Sequence, residues 1–432
     1  MSHFGAGDVL SFGLIFLIPC VAVGLALISA GLGRSRSAAH TMMTSLCVLA
    51  VAALAYFVCG YAWQTPFGYP HIAHLAGKEW DWLGAGRFFF HDVATDDRVA
   101  HSAFLGIFSV GIAALIPVST GADRWRLGAA CASTAVLAGF IYPLFAHWVW
   151  LGWLFHLGGN YDLGRGFLDV GGGATIQVVG GLSALSIAWI LGPRHGKYTH
   201  DGLPTAIPGH NGVLVMLGCM FALVGWMALN VACTLSIDGL AWRVGIVGIN
   251  TFLCACTAAL GAAIVTKIRF GKPDLSLTAN GWLGGLAASS AACALIIPAE
   301  AVVIGAVAGV LVTLSVEWFE LHMSVDDPGG SISAHAMGGI WGVLALGIFA
   351  SQPLMGRDSP GFVTGQWLAQ VVGVATLIGF VLPLTYGLNW LIDRVYRQRV
   401  DAEGERQGMD LYELGAGAYP EFIVHSDEFI ER

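Results

Sequence analysis

Eleven stretches of this chain are apolar for long enough to cross a lipid bilayer, and nothing constrains its fold more. They cover roughly 9–33, 41–62, 102–119, 127–150, 170–192, 212–234, 244–266, 276–297, 299–319, 331–351 and 366–392. Most reach the ~20 residues that a helix needs to cross the hydrocarbon core. Inside lipid the backbone must satisfy its own hydrogen bonds, so runs of this length become helices. Composition closes the water-soluble alternative, with 56% hydrophobic residues, 11% charged residues and a mean hydropathy of +0.71. The expected fold class is an all-α membrane protein of eleven transmembrane helices. Glycine, at 59 residues, suits close packing of helices in a membrane bundle.

An odd number of spans places the termini on opposite sides, and basic residues choose which. Arg34 and Arg36, Arg124 and Arg126, Arg194 and Lys197, and Lys267, Arg269 and Lys272 lie in alternate loops. Arg394, Arg397 and Arg399 fall on the same side, whereas Lys78, Arg87 and Arg98 share a long, net acidic loop opposite. These positions put the N-terminus outside and the C-terminus in the cytoplasm of a cell with an inner membrane. Two regions follow: a transporter domain over 1–398 and a cytoplasmic tail over 399–432, too short for a kinase or nucleotide-binding domain. Tyr419 and Phe422 suggest that the tail docks.

Several function classes drop out. A net charge of −8 spread over loops and tail speaks against a nucleic-acid partner. The nine cysteines stand singly in apolar segments with no CxxC pair, as small core residues do. His71-Ile-Ala-His74 lacks a third ligand at useful spacing, so no metal site is expected. No phosphate-cradling loop, nucleophile elbow or carboxylate pair suggests an enzyme or a cofactor. The N-terminus has no basic region ahead of its first apolar run, so no cleaved signal peptide is expected.

One pattern occurs twice. Asp169-Val-Gly-Gly-Gly-Ala-Thr-Ile-Gln177 leads to Gly180-Gly181, and Asp327-Pro-Gly-Gly-Ser-Ile-Ser-Ala-His335 leads to Gly338-Gly339. With the orientation above, the fifth span runs inward and the tenth outward. Eight helical residues rise about 12 Å, close to half a hydrocarbon core of about 30 Å. Gln177 and His335 therefore arrive at one depth from opposite sides. That is the signature of an inverted repeat of five plus five helices with one added. Intramembrane polar residues mark pathways and sites, so both are expected to line a pore. Gln177 hydrogen-bonds without titrating, which suits a small polar molecule better than a proton relay. Asp169 and Asp327 read first as helix caps, with Asp169 adding negative potential on the outer side. Trp148 and Trp150 close the fourth span, as interfacial anchors or as walls of a vestibule whose indoles face a cation. Trp226 and Asn230, one turn apart, read as packing residues, and the asparagine needs a partner.

At these residues the chain resembles the ammonium transporter (Amt/Mep/Rh) family. The matching stretches are Gly24–Arg36 with Thr41-Met-Met43, Ala146-His147-Trp148-Val-Trp150, Asp169-Val-Gly-Gly-Gly and Gly225-Trp226 with Asn230. Further on they are Gly271-Lys272-Pro273, Asp326-Asp327-Pro328, His335 with Gly338–Gly342, and Gly408-Met-Asp410 with Ala418-Tyr419. The resemblance implies a homotrimer with one pore per subunit, outer recruitment of ammonium, a phenylalanine gate and two midplane histidines. It also implies a cytoplasmic regulatory protein of the PII type as a partner of the tail. By position Trp150 matches the recruitment tryptophan, Asp169 the aspartate beside it, His335 the second pore histidine and Trp226 a pore-wall tryptophan. Phe108 lies in the outer gate region. The departures gather at the pore: Gln177 for the first histidine, Ile112 for the deeper aromatic, Leu229 for the other gate phenylalanine and Cys233 for a cation-binding serine.

The expected function is passage of ammonium, as ammonia, through a hydrophobic pore. A non-conducting ammonium sensor, or a channel for another small solute, is the alternative on the same scaffold.

Overall fold

A computed structural model describes residues 6–65, 72–237, 239–350 and 364–419. Among them, ten helices are long and apolar enough to cross a bilayer. They are α1 (Val9–Leu32), α2 (Ser35–Gln64), α3 (Asp97–Thr120), α4 (Leu127–Trp150), α5 (Gly173–Leu191), α6 (Gly212–Leu235), α7 (Ala241–Phe270), α9 (Pro298–Met323), α10 (Ile332–Phe349) and α11 (Thr364–Val395). The eighth expected span, α8 (Leu275–Ala292), is also a helix. It is made largely of Gly, Ala and Ser and is buried along most of its length, so it faces protein rather than lipid.

Several helices outrun the apolar stretches that announce them. α3 begins at Asp97 rather than near 102, because the Asp96 carboxylate accepts from the backbone N–H groups of Arg98 (2.9 Å) and Val99 (3.3 Å). A capped polar first turn is stable helix even though it lies outside the apolar core. The loop between α2 and α3 carries an unanticipated hairpin, β1 (Ile72–Leu75) against β2 (Lys78–Asp81). Its corner is Ala76-Gly77, both residues at positive φ (52° and 75°), the geometry of a two-residue hairpin turn. His71 and Phe422 lie outside the described residues.

The helices run between two ends. At one, the hairpin covers the end of α4. At the other, the basic loops that the sequence grouped together meet the tail. There Arg194 pairs with Asp326 (2.9 Å) and with Asp123 (3.0 Å). Arg34 donates its backbone N–H to Asp123 (3.2 Å), and Arg124 donates to the Asp326 carbonyl (2.8 Å). Burial alone would raise the Asp326 carboxyl, yet the Arg124 and Arg194 guanidiniums outweigh it and hold it down at about 2. The tail lies on this end: Asp410 accepts from the backbone N–H of Ala39 (3.2 Å) and His40 (2.7 Å) at the start of α2. Glu413 meets His40, Glu405 meets His195 and Arg399, and Tyr419 meets His210 (3.0 Å).

Candidate functional site

The two copies of the repeated pattern adopt one local structure from opposite ends. Each aspartate stands ahead of a glycine at positive φ, Gly172 (83°) and Gly330 (65°). Each helix then opens with a π-helical turn, Gly173–Val178 in α5 and Ile332–Met337 in α10, before tightening to regular α-helix. Such wide turns inside helices concentrate at functional sites. The Asp169 carboxylate accepts from the backbone N–H groups of Ala174 (3.0 Å) and Thr175 (2.9 Å) and from the Thr175 hydroxyl (3.0 Å). Asp327 accepts from the Ile332 N–H (2.7 Å) and the Thr120 hydroxyl (2.7 Å). Both carboxylates are caps, reaching five or six residues ahead because the wide turn exposes its amides further along.

The glycine pairs are reciprocal. A Cβ on Gly181 would lie 2.4 Å from the backbone nitrogen of Ala336, and one on Gly339 would lie 2.9 Å from the Gly173 carbonyl oxygen. Each helix makes room for the wide turn of the other. At that crossing, buried from solvent, His335 Nδ1 lies 2.8 Å from Gln177 Oε1. An amide oxygen can only accept, so the imidazole proton sits on Nδ1 and the Nε2 lone pair is left free. Gln177 Nε2 is buried and has no partner among the described residues. The two side chains thus present one donor and one acceptor, and no second titratable group.

The Trp226 indole lies parallel to the His335 ring at 6.0 Å and is anchored by its own N–H to the Ser290 hydroxyl (2.8 Å). Asn230 donates to Thr251 (2.9 Å) and Ser289 (3.4 Å), while its side-chain oxygen, buried without a hydrogen-bond partner among the described residues, abuts Gly171. Leu229 and Ile112 are completely buried, and Cys233 is buried nearly so. Towards the hairpin end, Trp150 donates to the Asp169 carbonyl (3.0 Å), so these two candidates do stand together. Trp148 is tied to the hairpin through the Trp82 carbonyl (2.8 Å). Phe108 is half-buried, and its aromatic contact among the described residues is Phe104 (5.3 Å), which leads on to Phe16 rather than to Trp150.

Sequence reasoning passed over three features. Asp326 appears there only as part of a matching stretch, yet it anchors Arg194 one residue from the cap of α10. The Asp410 cap of α2 carries no local signal, being 370 residues away along the chain. His147 and Asp81 meet at the hairpin end (3.1 Å) through a loop whose strands were not foreseen.

Two membrane-crossing helices that enter from opposite ends and cross at a buried polar pair define a multi-pass membrane protein of the inverted-repeat class, its candidate site at the repeat interface. Residues 9–419 match the Ammonium Transporter Family. Ammonium transporter Amt2 of Archaeoglobus fulgidus is 36% identical over 428 residues, covering 96% of this chain and 88% of the relative. Ammonium transporter 1 member 1 of Solanum lycopersicum is 28% identical, covering 90% of this chain and 82% of its own. Among solved structures, one titled "Sensor Amt Protein" aligns with a TM-score of 0.84 at 26% identity, covering 94% of this chain and 98% of that one. Candida albicans Mep2 aligns with a TM-score of 0.78 at 23% identity, covering 96% and 91%, and shares the fold. The chain belongs to the ammonium transporter family, a family of membrane transporters rather than enzymes.

Proposed function

We propose that this protein carries ammonium nitrogen across the cytoplasmic membrane as ammonia, passing Gln177 and His335 at the centre of each subunit. The observation that carries the reading is the buried Gln177–His335 pair at the crossing of α5 and α10. A bare cation at the bilayer centre is penalised by at least about 3 kcal/mol. A donor–acceptor pair suits a neutral molecule that can both accept and donate, as ammonia does. The hairpin end faces outward and the tail inward, on the strength of the basic residues gathered at the tail end. Ammonium is held near Trp150 and Asp169, with Cys233 and the Phe108–Ile112 turn of α3 as the surrounding wall, and loses a proton before entering. Trp226 and Leu229 line the way down. A homotrimer is the expected assembly, and a PII-type protein is the expected tail partner.

Flux in proteoliposomes tests this: a pH-sensitive dye should report ammonia entry in excess of protein-free vesicles, with little accompanying current. Absence of both signals would overturn it. A second reading, a non-conducting ammonium sensor, is favoured by the loss of the titratable group at Gln177 and by the likeness to the structure titled as a sensor. Saturable binding of ammonium or methylammonium without flux would select it.

A further inference from the structure

His147 is completely buried near the end of α4, and both of its ring nitrogens are engaged. Nδ1 lies 3.0 Å from the backbone carbonyl oxygen of Gln64 and Nε2 lies 3.1 Å from a carboxylate oxygen of Asp81 on β2. A carbonyl oxygen only accepts, so Nδ1 carries a proton. The Nε2 contact then needs a second proton, on the imidazole or on the carboxyl. In either arrangement the pair holds one proton more than a neutral imidazole beside an ionised aspartate. Remove it and the Nε2 lone pair faces a carboxylate oxygen in a part-buried site, which is repulsive and leaves that contact without a hydrogen bond.

The pair sits where it can act on Trp150. The His147 carbonyl accepts from the N–H groups of Leu151 (2.9 Å) and Gly152 (2.7 Å), which close the helix around Trp150. The Asp81 carbonyl accepts from Trp153 (3.2 Å), and the neighbouring Trp82 carbonyl holds Trp148 (2.8 Å). Other ionisable groups on the surrounding elements are engaged elsewhere. Tyr61 of α2 donates to the Val99 carbonyl and lies beside Arg87. Lys78 of the hairpin stands over Tyr161, and Glu79 lies across from His74. His156 lies on the Gly152 carbonyl, and the Asp169 carboxylate caps α5. Tyr142, one and a half turns earlier on α4, is buried and neutral in the physiological range.

We propose that His147 and Asp81 form a proton-holding pair that positions Trp150, so that ammonium capture at the hairpin end responds to the pH on that side. The proposal rests on Trp150 being the capture residue, as argued above, but its first test does not. Hydrogen exchange of the hairpin segment 72–84 is followed in nanodisc-embedded protein at about pH 6 and about pH 9, corrected for intrinsic exchange. Protection in the unmodified protein should fall several-fold at the alkaline end. In Asp81→Asn an amide can donate to Nε2, the extra proton is no longer needed, and protection should be equal at both values. Methylammonium binding, measured at constant cation concentration, should weaken on the alkaline side in the unmodified protein. In Asp81→Asn it should be about fivefold weaker on the acid side, as a neutral hydrogen bond replaces a charged one, and flat with pH. Unchanged hairpin protection between the two pH values in the unmodified protein would overturn the proposal, whatever the variant does. A pH-dependent hairpin with pH-independent binding would retain the proton-holding pair and remove its link to Trp150.

Discussion

Gln177→Leu tests whether the buried pair lines the proposed pore. Leucine is close to glutamine in volume, so the helix crossing should be kept. What it removes is the acceptor 2.8 Å from His335 Nδ1. A buried N–H without a partner costs about 1–3 kcal/mol. His335 can escape that cost by moving its proton to Nε2, but then it offers a donor where it had offered an acceptor. On the proposed path a passing molecule would lose the Gln177 amide donor as well. Taking about 2 kcal/mol for the damage and 1.4 kcal/mol per tenfold, ammonia flux should fall roughly thirtyfold. Stopped-flow entry into dye-loaded proteoliposomes reads this directly, with detergent-extracted protein checked for unchanged assembly. Flux within twofold of the unmodified protein would show that the pair does not line the path. Gln177→His is the counterpart: it restores a second titratable ring beside His335 and should add a saturable, ammonium-dependent current on a supported membrane. A robust current in the unmodified protein would refute the claim that an amide at this position interrupts proton movement.

The clamp at the tail end makes a pH prediction of its own. The Asp326 carboxyl is held at about 2 against an ordinary 3.8, a difference worth roughly 2 kcal/mol. Because the folded value is the lower one, this contribution is complete above the ordinary value and is lost as pH falls towards about 2. Thermal stability should therefore hold between about pH 7 and pH 5 on this account and drop below about pH 4, measured by light scattering on heating. Asp326→Asn leaves buried Arg124 and Arg194 short of charge and should destabilise by about 3–5 kcal/mol, with an early scattering onset at neutral pH. Asp327→Ala deletes the cap of the wide turn that carries His335, so it should cost about 1–2 kcal/mol and lower flux more than it lowers stability; the reverse order would show that the cap does not position His335. Asp410→Ala removes the acceptor for Ala39, His40 and Ala418, so residues 400–419 should become open to protease while the helical domain stays resistant.

What could be read in advance divides along physical lines. Hydrophobic runs located all eleven helices because the bilayer sets one length for each, and the repeated aspartate-to-polar spacing was enough to bring Gln177 and His335 to one depth. The same spacing could not show that both helices open with a wide turn, since apolar periodicity does not register one extra residue per turn. For that reason the aspartates were legible as caps but not their reach to Thr175 and Ile332. The glycine pairs suggested close packing in general; that each accommodates the other repeat's turn depends on a contact between residues about 160 positions apart (Gly181 with Ala336, Gly339 with Gly173). Long-range polar pairs were the least visible. Asp410 with His40 and Asp81 with His147 look in sequence like a solvated tail charge and a loop carboxylate, and only the fold gives them partners. These are also the contacts that tie the two ends of the bundle to their covering segments. The buried Gln177–His335 pair was therefore legible because the membrane forbids idle polar groups at its centre. At the ends, where water tolerates any charge, residue type carries no such information, and what each segment does there follows from its partner alone.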